Sequence, residues 1–268
     1  MSIIKSLITV EEITNIINSK DAQIIDVRPF SKYIISHIPK AIWFWLWDLV
    51  DNVKDVLKPK RPEEIAKILG NNGIRNDLPT IIYSSNQNFA IATYLAWYLK
   101  YVGIREIKIL IGGFEEYSKK DLPIEKGLHK PQPQDFHYTL DSSIRANLHD
   151  IINIVNGKQN EILIDVRTHE EFTGEFTITP KPGRIPKSIN TPPELYIKTF
   201  ENNNIDNNII KILEHVKNRG CITYCATGER ASLAWFIFKM IFSIKNVKLY
   251  PESFQEYSSI PNLPIEVG

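Results

Sequence analysis

The sequence repeats itself once over its 268 residues, and this duplication limits the fold more than any other feature. Asp26-Val27-Arg28 returns 139 positions later as Asp165-Val166-Arg167. Ser36-His37-Ile38-Pro39-Lys40-Ala41 is echoed by Gly183-Arg184-Ile185-Pro186-Lys187-Ser188. Tyr83 matches Tyr224 at an offset of 141, and Phe114-Glu115-Glu116-Tyr117 matches Phe254-Gln255-Glu256-Tyr257 at 140. Landmarks kept in one order over such a period indicate a long-range duplication. Each half has the length of an ordinary domain, so the expectation is two tandem domains rather than a solenoid. The boundaries read as 1–125 and 141–268. The stretch 126–140 between them, with Gly127, Pro131 and Pro133, reads as a linker.

Within the first half, strand and helix signals alternate. Thr9 is placed as an N-cap before Glu11 and Glu12, which predicts a short helix. Residues 21–27 form a buried strand pattern, and 36–42 a turn into another strand. Residues 63–69 have helical spacing closed by Gly70 and Gly73. A strand over 80–83, a helix over 90–101, a strand over 107–111 and a short helix after Gly112-Gly113 complete the half. This alternation predicts an α/β fold, each domain a mainly parallel sheet flanked by helices.

The halves differ most at Tyr224-Cys225-Ala226-Thr227-Gly228-Glu229-Arg230. A short apolar strand pattern ends in a cysteine, a small-residue turn follows, and a strongly apolar helix begins. Gly228 gives the turn backbone freedom. The first N–H groups of the helix have no partner within it and favour negative charge on sulfur. Cys225 is therefore a candidate nucleophile, although a cysteine at a strand end is also a common core residue. Ser84 stands at the matching position of the first half. The other cysteine, Cys221, would lie roughly 13 Å away if both share one strand, too far for a disulfide, and reads as core. Two cysteines without a histidine pair make no zinc pattern. The scattered histidines 37, 129, 137, 149, 169 and 215 read as surface or capping residues.

A formal net charge of +1 gives no global field toward nucleic acid or an anionic membrane, so an anionic ligand must be held by local charge. Met1 to Ile8 turns polar too soon for a signal peptide. The most apolar run, Ala41 to Trp47, is far below membrane-spanning length. These features predict a cytoplasmic protein.

The motif set resembles the tandem-domain rhodanese family, the thiosulfate and 3-mercaptopyruvate sulfurtransferases. Its carriers are Asp-Val-Arg in each half, the His37-Ile38-Pro39 and Arg184-Ile185-Pro186 turns, the Cys225–Arg230 loop, and the Phe-x-x-Tyr endings. The resemblance implies an inactive first domain and a second domain in which Cys225 takes sulfur from a donor as a persulfide. A thiophilic acceptor, cyanide or a small or protein thiol, would then remove it. Loop amides from Ala226, Thr227, Gly228, Glu229 and Arg230 would hold the developing charge. No metal or organic cofactor is implied.

Cys225 to Arg230 spans six residues. Cysteine phosphatases of similar fold use one more, so this loop suits a single sulfur atom better than a phosphate. Arg230 is the candidate anion-binding cation. Mercaptopyruvate enzymes commonly carry a neutral Cys-Gly-Ser-Gly loop, so the basic loop end favours thiosulfate. A mercaptopyruvate enzyme and a persulfide carrier without turnover remain the alternatives. Lys181 and Arg184 fall where the family places a substrate-facing cation. Asp165 and Arg167 are expected to form an internal ion pair organising the site, with Asp26 and Arg28 doing the same in the first half. Glu229 should point outward or pair with a base. Trp43, Phe44, Trp45 and Trp47 are expected to pack between the halves, and Trp235, Phe236 and Phe238 to wall one side of the site.

Overall fold

A computed structural model describes residues 6–17 and 21–268. The expectations placed on Met1 to Lys5 lie outside these residues. The chain divides into two compact units. The first takes in the described residues up to Val50, Lys60–Asp141 and Thr199–Asn204; the second takes in Asp51–Pro59, Ser142–Lys198 and Ile205–Gly268.

In the first unit the order is β1 (Leu7–Ile8), α1 (Val10–Ile16), β2 (Gln23–Asp26), α2 (Phe30–Tyr33) and β3 (Ile42–Trp43). After a short 3₁₀ turn, the chain forms β4 (Val50–Val53) and β5 (Val56–Pro59), which pair as a two-stranded sheet and from Asp51 on are counted with the second unit. It continues through α3 (Pro62–Asn71), β6 (Thr80–Tyr83), α4 (Phe89–Tyr101), β7 (Ile107–Leu110) and α5 (Gly113–Ser118). The main sheet runs β1-β7-β6-β2-β3 and is parallel at every pairing. Thr9 caps α1 as expected: its hydroxyl accepts the Glu12 N–H, and the Glu12 carboxylate accepts the Thr9 N–H. Helix α4 is apolar around most of its circumference, and all but one of its residues are buried.

The stretch 126–140, expected to be a linker, runs along the first unit. The amides of Gly127, Gln134 and Thr139 donate to the carbonyls of Ile34, Gly70 and Val102. The glycines read as helix closers are also what lets this chain approach. A Cβ on Gly70 would lie 2.4 Å from the Gln134 carbonyl oxygen, and one on Gly73, at φ +73°, 2.6 Å from Pro131. In the aromatic run, Phe44 is buried and Trp45 is 39% exposed, while the Trp43 ring packs against Phe30 at 4.8 Å.

The second unit repeats the pattern with α6 (Leu148–Val155), β8 (Ile162–Asp165), α7 (His169–Thr173) and β9 (Ile189–Asn190), followed by α8 (Glu194–Asn202), whose residues from Thr199 on are counted with the first unit. Then come α9 (Asn207–Arg219), β10 (Cys221–Tyr224), α10 (Ala231–Trp235), β11 (Val247–Leu249) and α11 (Ser253–Ser259). Its parallel sheet runs β11-β10-β8-β9. The helix expected after the loop widens after Trp235 into a π-helical turn, Phe236–Ile241. Trp235, Phe236 and Phe238 are fully buried.

The duplicated landmarks meet in space. Asp26 closes β2, and Arg28 folds back on it with Nη2 2.6 Å from Oδ2. The same guanidinium donates to the Ser36 carbonyl and lies 3.7 Å from the Phe114 ring centroid. The Tyr83 hydroxyl accepts the Ile38 amide. In the second unit, Arg167 pairs with Asp165 at 2.6 Å, donates to the Gly183 carbonyl, and lies 4.2 Å over Phe254. There the Tyr224 hydroxyl accepts the Ile185 amide. Strand end, turn, tyrosine and terminal aromatic are thus tied by one buried guanidinium in each unit. Burial disfavours that charge, but the aspartate outweighs it and holds both arginines above their ordinary pKa. Asp26→Asn leaves Arg28 buried without its counter-charge and should cost about 3–5 kcal/mol in chemical denaturation followed on the first unit.

Candidate active site

Cys225 follows the last residue of β10, an interior strand of the second sheet, at the carboxyl ends of its parallel strands. Open α/β sheets place ligand sites there. Tyr224 is in register with Asp165, so the loop begins beside the Asp165–Arg167 pair. The loop is pinned at both backbone faces. The Cys225 N–H donates to the Ser253 hydroxyl at 3.1 Å, and the Cys225 and Ala226 carbonyls accept the Phe254 and Gln255 amides. Gly228 takes φ +95°, a left-handed conformation that suits glycine. Its N–H then donates to the Cys225 Sγ at 3.1 Å. The loop closes on Arg230, and the Ser232 hydroxyl donates to the Glu229 carbonyl.

The Cys225 side chain is covered, at 1% exposure. The loop residues Ala226, Thr227, Glu229 and Arg230 line a cavity of about 490 Å³, with Thr168, Glu171, Phe176 and Ile178 on the other side. Arg230 makes a two-pronged ion pair with Glu171, Nη1 to Oε2 at 2.6 Å and Nη2 to Oε1 at 2.8 Å. Burial opposes the charge of Arg230, but the Glu171 carboxylate and the Cys225 sulfur outweigh it and raise its pKa. For Glu171 the largest influence, burial, raises the pKa; the Arg230 hydrogen bond and charge overcome it and leave the carboxyl below its usual range. Glu229 has no such relief. Burial raises its carboxyl above the ordinary range against the pull of Arg230, and no described residue donates a hydrogen bond to it.

The cations expected from the Pro180–Pro186 segment are held elsewhere. Lys181 Nζ donates to the carbonyls of Ile260 and Pro261 at 3.0 Å each. Arg184 donates to the Gly268 carbonyl, pairs with Glu266, and lies over the Phe172 ring. Neither lines the cavity. Their place in the structure is to tie down the C-terminal stretch. Cys221 is fully buried, and burial pushes its thiol up, as suits a core residue. Among the described residues, no group of three or more His, Cys, Asp or Glu is placed to hold a metal ion.

A family model described as rhodanese-like domain matches residues 9–120 and again 148–260. The chain belongs to the rhodanese family. A protein of Mycolicibacterium smegmatis named "Putative thiosulfate sulfurtransferase" is 31% identical over 251 residues, covering 89% of this chain and 88% of its own. The "Sulfur carrier protein TtuD" of Thermus thermophilus is 29% identical, covering 88% and 87%. Among solved structures, YnjE superposes with a TM-score of 0.83 at 20% identity, over 98% of this chain and 68% of that one. Wild-type EanB gives 0.80 at 21%, over 98% and 69%. These two likenesses speak to the fold.

Within the rhodanese pair of domains, the site features are confined to the second. Ser84 replaces Cys225, and its hydroxyl donates to the Ser85 carbonyl. At an offset of 139 from Glu171 the first half carries Lys32. Sequence reasoning missed Glu171 because Thr168-x-x-Glu171 is explained locally as a capping box, which it also forms. The loss of that carboxylate between halves was the available signal. Phe176 and Ile178 were missed as well. The offset of the turn landmark grows from 139 to 147, so the second half holds eight extra residues here, and both side chains lie among them.

Glu171 titrates lower folded than unfolded, so its ion pair stabilises the protein above the ordinary carboxylate pKa and is lost as pH falls through the depressed folded value. Thermal denaturation of the wild type should therefore lose this contribution below about pH 5. Glu171→Gln should be less stable near neutrality and show a shallower acid decline.

Proposed function

We propose that the protein is a sulfurtransferase that moves the sulfane sulfur of thiosulfate to a thiophilic acceptor through a persulfide on Cys225. The observation that carries this reading is the Gly228 N–H held 3.1 Å from the Cys225 sulfur, within a loop that ends in the Arg230 guanidinium. A fixed donor aimed at sulfur stabilises negative charge there, both on the attacking thiolate and on the terminal sulfur of a persulfide. The thiolate attacks the outer sulfur of thiosulfate; the new S–S bond forms as the old one breaks, and the electron pair leaves on sulfite. An acceptor then attacks the terminal sulfur and returns Cys225 as thiolate.

Arg230 supports thiosulfate as donor because its guanidinium lines the cavity and retains N–H groups beyond the two engaged by Glu171. The name of the Mycolicibacterium smegmatis relative agrees with this donor. A carrier role, in which a protein partner collects the persulfide, is favoured by the exposed Phe176 and Ile178 at the cavity, 55% and 62% exposed. The named role of the Thermus relative also points that way.

Thiosulfate with cyanide should yield sulfite and thiocyanate in equal amounts, and 3-mercaptopyruvate should be the poorer donor. Cys225→Ser should reduce turnover by about a thousandfold or more, since it removes the nucleophile. A preference for mercaptopyruvate would overturn the donor assignment, and turnover retained by Cys225→Ser would overturn the nucleophile. Persulfide formation with discharge only to a protein acceptor would favour the carrier role.

A further inference from the structure

Among the described residues that line this cavity, Glu229 is the ionisable group that the proposed reaction leaves without a task. It lines the cavity, sits next to Arg230 in the Cys225 loop, and takes no hydrogen bond from a described residue. The charged groups that face it are few. Arg230, beside it in the loop, is the charge that acts on it; Glu171, on α7, lines the same cavity, and the Asp165–Arg167 pair lies at the end of β8. Arg230 gives two of its N–H groups to the oxygens of Glu171, and Arg167 is engaged by both oxygens of Asp165. Neither is paired with Glu229 among the described residues. A carboxyl in such a place can take up and release a proton.

Resting on the sulfurtransferase reading above, we propose that Glu229 is a catalytic proton carrier and that the acceptor it serves is a thiol. In the first half-reaction, the Cys225 thiolate takes the outer sulfur of thiosulfate. Protonated Glu229 gives its proton to the departing sulfite, leaving Cys225–S–S⁻, hydrogen sulfite and the Glu229 carboxylate. In the second, the carboxylate accepts the proton of an incoming R–SH as its sulfur bonds to the terminal sulfur of the persulfide. The Cys225 S–S bond breaks, its electron pair returns to Cys225, and R–S–S⁻ leaves. Glu229 is protonated again, and the cycle closes with thiosulfate and thiol converted to hydrogen sulfite and a persulfide anion. No outside oxidant or reductant is needed.

The same arrangement explains how a carboxyl can stand beside an anion site. Burial raises the Glu229 carboxyl above its ordinary range and so favours the neutral form, which would not repel the dianionic donor. Once the persulfide is made, the carboxylate disfavours a second anion. This selects a neutral or cationic thiol over an anionic one. Thr168 and Thr227 with Phe176 and Ile178 supply a mostly uncharged surface for the body of that thiol.

The test compares acceptors that do and do not bring a proton. Protein loaded with persulfide by inorganic polysulfide is discharged by 2-mercaptoethanol near neutrality and, separately, by cyanide at a pH where it is the anion. For Glu229→Gln the thiol rate should fall by about a hundredfold near neutrality, in the range of general acid–base contributions. It should recover as pH rises through the thiol's own pKa. The cyanide rate should not fall, because no proton moves in that reaction and the variant removes a charge that disfavours anions. The wild-type thiol rate should also decline as pH falls through the Glu229 titration, and Glu229→Gln should lack that limb. Glu229→Asp, which keeps the carboxylate, should retain part of the thiol rate and guards against a glutamine variant that fails to fold. Equal losses with both acceptors, or an unchanged thiol rate at neutrality, would overturn the proposal. Polysulfide loading bypasses thiosulfate, so failure of the donor assignment would show separately, as absent thiosulfate turnover in the wild type.

Discussion

The buried aspartate–arginine pair at the end of a central strand is the interaction on which each unit depends. An arginine at 4% or 1% exposure is unstable unless its charge and its N–H groups are met. Asp26 and Asp165 meet the charge, a turn carbonyl takes a further N–H, and an aromatic ring covers the face. Each partner comes from a different part of the half, so the pair fixes where strand, turn and terminal helix stand. That is why the same residues recur together across the duplication. Replacing one would strand the others.

On this shared frame the second unit carries a site through a small number of changes. Cysteine replaces serine at the strand end, glutamate replaces lysine in the following short helix, and an eight-residue insertion brings Phe176 and Ile178 to the cavity. The Glu171–Arg230 pair joins the inserted side to the sulfur loop. Its two hydrogen bonds hold Arg230 in place while consuming much of its charge. The cavity is consequently closer to electrically balanced than the loop sequence suggests. Positioned N–H donors, rather than a strong positive field, are left to favour anionic sulfur.

Most of the fold was legible, because its signals are local or duplicated. Thr9 as a cap, the apolar runs at 80–83 and 107–111, and the four landmarks each announce their role in one dimension. The candidate site was legible only in part. Cys225, Gly228 and Arg230 are adjacent in sequence and could be read as a loop. Glu171 lies 59 positions from Arg230, and its capping function accounts for it without any mention of that partner. Lys181 and Arg184 were expected to face the substrate, yet Arg184 keeps the turn geometry of the first half, its backbone bridging Glu266 as His37 bridges Glu125. Their side chains reach carbonyls near the C-terminus, a contact no spacing rule reveals. The extra length of 126–140 looked like a tether because its glycines and prolines are typical of linkers. Gly70 of α3 and Gly73 just past it, which receive this segment, are recognisable as such only once the two segments are seen together.

The most direct experiment is intact-mass measurement of the protein after incubation with thiosulfate and removal of small molecules. Persulfide chemistry at Cys225 predicts a gain of one sulfur atom, mapped to Cys225, lost on addition of cyanide and absent in Cys225→Ser. Absence of the adduct in the wild type, or its appearance on Cys221, would contradict the assignment of Cys225 as the sulfur-bearing nucleophile.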